Sequence, residues 1–242
     1  MTTEQKEKIK NIIENSKSFG LFLKENARDY EFLAREALKS FLEKKNKDTC
    51  SLPENPKEFV EKWSPVIGES KKNILPASNI IIHIPKDRTK IKEINYEDNG
   101  GALDLNIALE NGNINPENII IEQKNASFDA VFCLGCPPSE QPPENYKKLL
   151  PLKDKIIQID QDEISLNEKV FKIINEIFNE PLDNKTATIL FAGLVVERMC
   201  NYNQSKEKTQ DTERSLMHYG AEKQNVFEIV SESLSLEQLP II

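Results

Sequence analysis

The chain has 242 residues, of which 38% are hydrophobic and 30% are charged, and its formal net charge is −8. This length is sufficient to bury a core as one large domain or two small ones. The acidic balance disfavours nonspecific binding to nucleic-acid backbone, which needs a basic surface. The sequence has no apolar run near the roughly 20 residues that cross a bilayer, and its polar start is unlike a secretory signal. We therefore expect a cytoplasmic globular protein.

The four cysteines are Cys50, Cys133, Cys136 and Cys200. In a chain of this size they predict reduced thiols rather than a disulfide framework. Only Cys133 and Cys136 have the spacing of a metal motif, and a zinc site needs a second such pair. The two histidines, His83 and His218, are interpreted as structural. The sequence therefore predicts no zinc site.

The first part of the chain predicts a helix, a strand and a further helix. Isoleucines at helical spacing indicate a short amphipathic helix over 7–16, and the apolar run 19–23 indicates a strand. Asp29 is placed to cap a helix that runs to about residue 45. Two prolines then precede a predicted short helix over 57–63.

The middle and the end of the chain alternate strands with helices. A hairpin is predicted where Asp98–Gly101 separates two runs of alternating apolar residues, 91–96 and 102–109. The other predicted strands cover 79–84, 119–122, 128–134 and 155–160. The predicted helices lie around 170–178 and 186–200, and Asp183 is placed to cap the second of them. One more helix is predicted to end at Gly220 and another to begin near Asn225.

This alternation predicts an α/β fold with a mostly parallel sheet, helices on both faces and an inserted β-hairpin. We expect one domain over 1–232 and a C-terminal tail over 233–242.

Three apolar runs, 80–82, 131–134 and 156–159, are predicted to be buried parallel strands. Ligands of open α/β sheets bind beyond the carboxyl ends of the strands, so the residues that follow each run are candidates for a site. The first run belongs to the predicted strand 79–84, and the candidate residues after the three strands begin with Pro85, Gly135 and Asp160. They contain few groups that are suited to hold a metal.

Three segments follow one another along the chain: 79–93 with the following Asp98–Gly101 turn, the helix 186–198 and the turn 218–222. In this order they resemble segments of the bacterial DHH phosphoesterase family. The resemblance extends over roughly residues 5–232 and rests on apolar patterns and small residues. Family members hydrolyse phosphodiesters or phosphoanhydrides with two metal ions, usually manganese. Their separate substrate-binding domain would begin after residue 232, and we expect this chain to lack it.

The resemblance implies metal ligands at positions where this chain has other residues. These substituted positions are Lys24, Arg28, Tyr30, Pro85, Gly135 and Gln161. The carboxylates that remain at family positions are Asp160, Asp162 and Glu197, too few for two metals. The resemblance therefore implies a catalytically inactive relative without a metal cofactor, which acts by binding or assembly with an unknown protein partner or with itself.

Two alternatives stay open. A rearranged first loop, in which Asp29 supplies a ligand, would permit a manganese-dependent phosphodiesterase or phosphatase acting on small nucleotides or oligonucleotides. Alternatively, the cations Lys24, Arg28, Lys86 and Arg88 would hold a phosphate or nucleotide without metal. The simpler interpretation of these four residues is that they are solvated surface charges. No phosphate-binding glycine motif is present, and no membrane partner is expected.

Overall fold

The structure is a computed structural model that describes residues 2–24, 26–68, 73, 75, 79–85, 90–124, 127–136, 150–151, 153–160, 164–178, 180–200 and 206–233. The chain forms two compact units. One comprises residues 1–76 and 127–242, and the other comprises residues 77–126.

The helices and strands of both units follow in chain order. They are α1 (Thr3–Asn15), β1 (Ser18–Leu23), α2 (Asp29–Lys44), β2 (Asp48–Leu52), α3 (Lys57–Ile67), β3 (Asn79–His83), β4 (Lys90–Asp98), β5 (Leu103–Asn111), β6 (Ile120–Lys124), β7 (Ala130–Leu134), β8 (Ile156–Ile159), α4 (Leu166–Lys172), α5 (Asn184–Cys200), α6 (Lys206–His218) and α7 (Lys223–Ser233). Helix α4 continues into a π-helical turn, Ile173–Ile177.

The first unit is built on a four-stranded sheet in the order β2-β1-β7-β8, in which all neighbours are parallel. Strand β1 lies inside the sheet, and Phe19 to Leu23 are all buried, as both faces of a parallel sheet require. Helices flank this sheet, so the predicted α/β class with a parallel sheet is confirmed.

Side chains on alternate positions of the strands enter two separate apolar clusters. Leu21 of β1 and Phe132 of β7 belong to the larger cluster. This cluster also contains buried residues from each of the helices α1 to α7. Phe22, Cys50 and Cys133 belong to a smaller cluster on the other side of the strands. The thiols of Cys50 and Cys133 are therefore core groups, and burial raises the pKa of Cys133 to about 12.

Helix α5 forms the middle of the larger cluster. Its residues from Thr186 to Val195 are all buried, so an almost uniformly apolar sequence is fully enclosed, as such a helix requires. The carboxylate of Asp183 accepts hydrogen bonds from the backbone N–H of Thr186 at 3.0 Å and from its hydroxyl at 2.9 Å. The predicted cap is therefore confirmed.

Helix α2 begins at Asp29, but Arg28 and not Asp29 occupies the cap position. The carboxylate of Asp29 instead accepts hydrogen bonds from Lys62 Nζ at 2.8 Å and from Trp63 Nε1 at 3.0 Å. The prediction of an Asp29 cap was wrong because this carboxylate satisfies the indole N–H of a fully buried tryptophan. It joins α2 to α3.

The second unit contains two antiparallel ribbons, β3 with β6 and β4 with β5. The predicted hairpin is present. The run 80–82 does form a strand, but its placement in the parallel sheet was wrong: β3 pairs with β6, and Ile80 is 67% exposed. The fourth parallel strand is β2, which the apolar pattern did not reveal because β2 contains Thr49 and Ser51.

Among the described helices, none is sufficiently long and apolar to cross a membrane. The division into a 1–232 domain and a 233–242 tail stays a prediction, since residues 234–242 lie outside the described part of the chain.

Replacing Asp29 by alanine tests its role in joining α2 to α3. Asp29→Ala leaves the buried Trp63 N–H without an acceptor, so we expect the free energy of unfolding to fall by about 1–3 kcal/mol. Urea denaturation measures this change. Asp211→Ala is the control, because among the described residues the Asp211 carboxylate pairs only with the exposed Arg214. An equal effect of both substitutions would contradict the role given to Asp29.

Candidate functional site

The carboxyl ends of the four parallel strands lie at one edge of the sheet, where α/β proteins place their sites. Lys24 follows β1, Gly135 follows β7 and Asp160 follows β8. The structure therefore brings three of the sequence-derived positions to this edge. Pro85 instead follows β3, which belongs to a separate two-stranded sheet.

The central feature of this edge is an ion pair between Lys24 and Glu31. Lys24 Nζ lies 2.8 Å from Glu31 Oε1, and the Glu31 side chain has no exposed surface. The other oxygen, Oε2, accepts a hydrogen bond from the backbone N–H of Arg28 at 2.8 Å. A buried carboxylate needs such compensation. Lys24 thus supplies the positive charge that this buried acid requires.

Gly135 leaves no space for a ligating side chain at the end of β7. Its φ of +68° favours glycine, and a β-carbon here would lie 2.8 Å from Glu31 Oε1. An aspartate at this position would also bring a second negative charge against Glu31. Glu31 therefore fills the space in which the family resemblance implies an aspartate.

Glu197 on α5 is the second buried acid of this edge, with 5% of its surface exposed. Its Oε2 accepts a short hydrogen bond from the Ser165 hydroxyl. Burial raises the pKa of Glu197; hydrogen bonds from Ser165 and Asn167 oppose this rise, and the charge of Glu31 adds to it. The Glu197 carboxyl group thus lies in surroundings that favour its neutral form.

Asn167 connects the elements that carry these two acids. Its Nδ2 donates to the backbone carbonyl of Tyr30 in α2 at 3.0 Å, and it also hydrogen-bonds Glu197. A β-carbon at Gly193 would lie 2.0 Å from Asn167 Oδ1, so only glycine at this point of α5 permits the approach. Gly193 therefore has a packing role, because it leaves room for the side chain of Asn167.

Asp160 lies at the same edge, but no hydrogen bond or ion pair among the described residues joins it to Glu31 or Glu197. Its backbone carbonyl accepts from Lys169 Nζ at 2.5 Å, and its Oδ1 is buried without a hydrogen-bond partner in the part of the chain that the structure describes. Gln161 and Asp162 lie outside the described residues.

The structure does not bring the four proposed phosphate-binding cations together among its described residues. Lys24 is paired with Glu31, whereas the side chain of Arg28 is exposed. Lys86 and Arg88 lie outside the described residues. The rearranged first loop finds no support in Asp29, because its carboxylate already binds Lys62 and Trp63.

The donors that are described at this edge do not fit a two-metal centre. No group of three or more histidine, cysteine or acidic side chains among the described residues is placed to hold a metal ion. Two dications need negatively charged ligands, but Lys24 contributes a positive charge. In addition, burial disfavours the charged form of Glu197. His83 instead contacts Glu122 at 3.2 Å in the second unit.

A second buried charged group lies at the carboxyl end of β2, and sequence reasoning missed it. Arg35 of α2 is fully buried and donates to the carbonyl of Pro53 at 2.7 Å and to Asn55 Oδ1 at 2.6 Å. Asn55 in turn donates to Glu36 Oε1 at 2.9 Å. Burial lowers the pKa of Arg35 to about 10. These contacts fix the loop that follows β2 to α2.

The residues that complete the site were also missed. Glu31 and Arg35 appear in the sequence as polar positions of an amphipathic helix, and their partners are distant in sequence. Ser165 had a usable signal, since the pattern Ser165-Leu-Asn-Glu168 before an apolar run is typical of a helix start. In the structure Ser165 does precede α4, and its hydroxyl accepts from the N–H of Glu168 at 3.4 Å.

No protein-family model matches the sequence, and no curated protein matches it. Among solved structures, the chain is similar to the crystal structure of an exopolyphosphatase-related protein from Bacteroides fragilis, with a TM-score of 0.59 and 15% sequence identity. The match covers 97% of this chain and 62% of that protein, so the chain spans less than two thirds of its length. At this identity the likeness shows the fold alone, which is an α/β architecture.

A double-mutant cycle tests the ion pair between Lys24 and Glu31. Lys24→Met leaves a carboxylate with no exposed surface unpaired, so we expect it to lower the free energy of unfolding by about 1–3 kcal/mol. Glu31→Gln should cost less, because the remaining Lys24 is partly exposed. The double variant should be more stable than the sum of the single effects predicts, by about 0.5–3 kcal/mol. Additive effects in urea denaturation would contradict the pairing.

The raised pKa of Glu197 predicts a pH-dependent effect of Glu197→Gln. An acid whose pKa is higher in the folded protein stabilises the fold below its ordinary value of 4.5, and this contribution is lost as the pH rises through the folded pKa. The glutamine does not titrate. Compared with the wild type, Glu197→Gln should therefore gain stability as the pH rises above 4.5.

Thermal unfolding at several pH values measures this difference. The control is Glu58→Gln, since Glu58 is exposed on α3. A constant offset between wild type and Glu197→Gln over this range would contradict the predicted pKa shift.

Proposed function

We propose that this chain is a phosphoesterase-like domain of the DHH type that does not use two-metal hydrolysis and works by binding or assembly. The observation that carries the proposal is the ion pair of Lys24 with the buried Glu31 at the end of β1. An ammonium group held there by a buried acid supplies one positive charge without any metal.

Two further features support the proposal. Gly135 with Glu31 behind it offers no ligand at the end of β7. Glu197 accepts hydrogen bonds from Ser165 and Asn167, and its buried surroundings favour the neutral acid. Neutral carboxylic acids and ammonium groups are poor ligands for manganese, which prefers charged oxygen ligands and imidazole.

Hydrolysis assays test this proposal. The purified chain is incubated with manganese and either a dinucleotide or a generic phosphodiester, in parallel with a Glu197→Ala, Asp160→Ala double variant. We expect no turnover above that of the double variant, because the described residues do not form a two-metal centre. Turnover by the wild type that the double variant loses would overturn the proposal and favour a rearranged enzyme.

Calorimetry separates binding of phosphate at the site from assembly. The chain is titrated with inorganic phosphate and with a nucleotide, and the control is the Lys24→Ala, Arg28→Ala double variant. Since Glu31 already neutralises Lys24, we expect no heat that depends on these two cations. Binding that is lost in the double variant would instead show a metal-free phosphate site at this edge.

A further inference from the structure

A cavity of about 620 Å³ lies at the amino ends of the strands of the first unit. Its walls come from the second half of α1, from the last turn of α2 with the residues that follow it, and from residues 178 and 180–183 before α5. Helix α1 ends shortly before β1, and Lys47 directly precedes β2. The cavity therefore lies at the edge of the parallel sheet opposite to that of Lys24 and Glu31.

The inner wall of this cavity is apolar. Ile13 and Leu182 line it and belong to the larger apolar cluster. The rings of Phe41 and Phe178 also line it, and their centroids are 5.1 Å apart. The Lys45 ammonium group lies over both rings, 5.4 Å from the centroid of Phe41 and 4.9 Å from that of Phe178. The wall thus combines an apolar surface with a cation placed over it.

The charged residues of the cavity leave one positive charge in excess. Four lysines and three acidic residues line it, namely Lys10, Lys44, Lys45, Lys47, Glu14, Glu180 and Asp183. Lys45 pairs with Glu180 at 2.6 Å, and Lys44 pairs with Asp183 at 3.1 Å. The whole chain has a net charge of −8, so a locally positive cavity stands out against its surroundings.

Lys47 carries the excess charge. Its Nζ donates to the carbonyl of Glu14 at 3.1 Å and to that of Ser16 at 2.7 Å. Carbonyl groups have only partial charges, and no carboxylate among the described residues pairs with this ammonium group. The Lys47 side chain is half-buried, so solvent screens it less than an exposed lysine. Lys10 is only 3.9 Å from Glu14 in an exposed pair, which contributes little. An anion in the cavity would therefore gain most at Lys47.

We propose that this cavity binds an organic monocarboxylate with an apolar body, a ring or a short hydrocarbon chain. The carboxylate pairs with Lys47, and the body lies against the rings of Phe41 and Phe178. Pockets for small molecules typically enclose roughly 300–1,000 Å³, so the volume suits a ligand of this class. The single excess charge selects a monoanion over a phosphate monoester, which carries about two charges at pH 7.

This inference goes beyond the proposed function and does not rest on it. The cavity shares no lining residue with the carboxyl edge, where Lys24, Glu31 and Glu197 lie. The outcome of the manganese assay therefore leaves it unchanged.

An NMR titration of the full chain with naphthoate measures the binding, and the uncharged naphthamide is the matched ligand. We expect a dissociation constant of about 1 mM or below for naphthoate. Naphthamide should bind about tenfold more weakly, because it lacks the charge that pairs with Lys47. Naphthyl phosphate should bind no more tightly than naphthoate, since its second charge finds no further partner. Equal binding of naphthoate and naphthamide, or tighter binding of the phosphate, would overturn the proposal.

Lysine variants locate the site. Lys47→Met should weaken binding of naphthoate about tenfold, and Lys10→Gln should weaken it about twofold. The control is Lys8→Gln, since Lys8 is exposed on α1 and does not line the cavity. Circular dichroism shows whether each variant folds. Unchanged binding by Lys47→Met, or a loss in Lys8→Gln equal to that in Lys10→Gln, would overturn the proposal. If Lys47→Met does not fold, unchanged binding by Lys10→Gln overturns it.

Discussion

The buried carboxylate of Glu31 is the constraint on which the carboxyl edge of the sheet depends. It has no exposed surface, so its charge must be compensated inside the protein. The loop after β1 brings Lys24 to one oxygen, and the first turn of α2 brings a backbone N–H to the other. Strand β7, which pairs with β1, ends at Gly135, where a β-carbon would lie 2.8 Å from Glu31 Oε1. One buried acid thus determines the chemistry at the ends of two neighbouring strands.

The edge contains a second acid, and the protein accommodates it differently. Glu31 has a cation as its partner, whereas Glu197 has a hydroxyl and an amide. Burial raises the pKa of Glu197, and the charge of Glu31 adds to this rise. A raised pKa in a buried acid is also typical of acid catalysts. Here, however, Glu197 is held by Ser165 and Asn167, and Glu31 is held by Lys24.

Local patterns predicted the elements whose signal lies in their own residues. The apolar runs at β7 and β8, the uniformly apolar α5 and the Asp183 cap were all legible in the sequence. Strand pairing was not: Ile80–Ile82 has a strand pattern that is equally compatible with a buried parallel strand and an exposed ribbon. Of the residues proposed for the site, Lys24 and Glu197 lie at the carboxyl edge of the sheet. Their partners Glu31 and Ser165 were missed, because burial of a polar side chain depends on contacts with distant residues.

The two units differ in whether their large apolar side chains are buried. In the first unit a parallel sheet has covered faces, and the buried acids Glu31 and Glu197 at its carboxyl edge have polar partners within the unit. In the second unit the bulge in β4 aligns Ile91 with Ile94 on a face that the described residues leave exposed. A bulge disrupts a ladder, and here it extends an apolar face that would otherwise end at Ile94. The first unit therefore encloses most of its large apolar side chains, whereas the described apolar side chains of the second unit stay exposed or half-exposed.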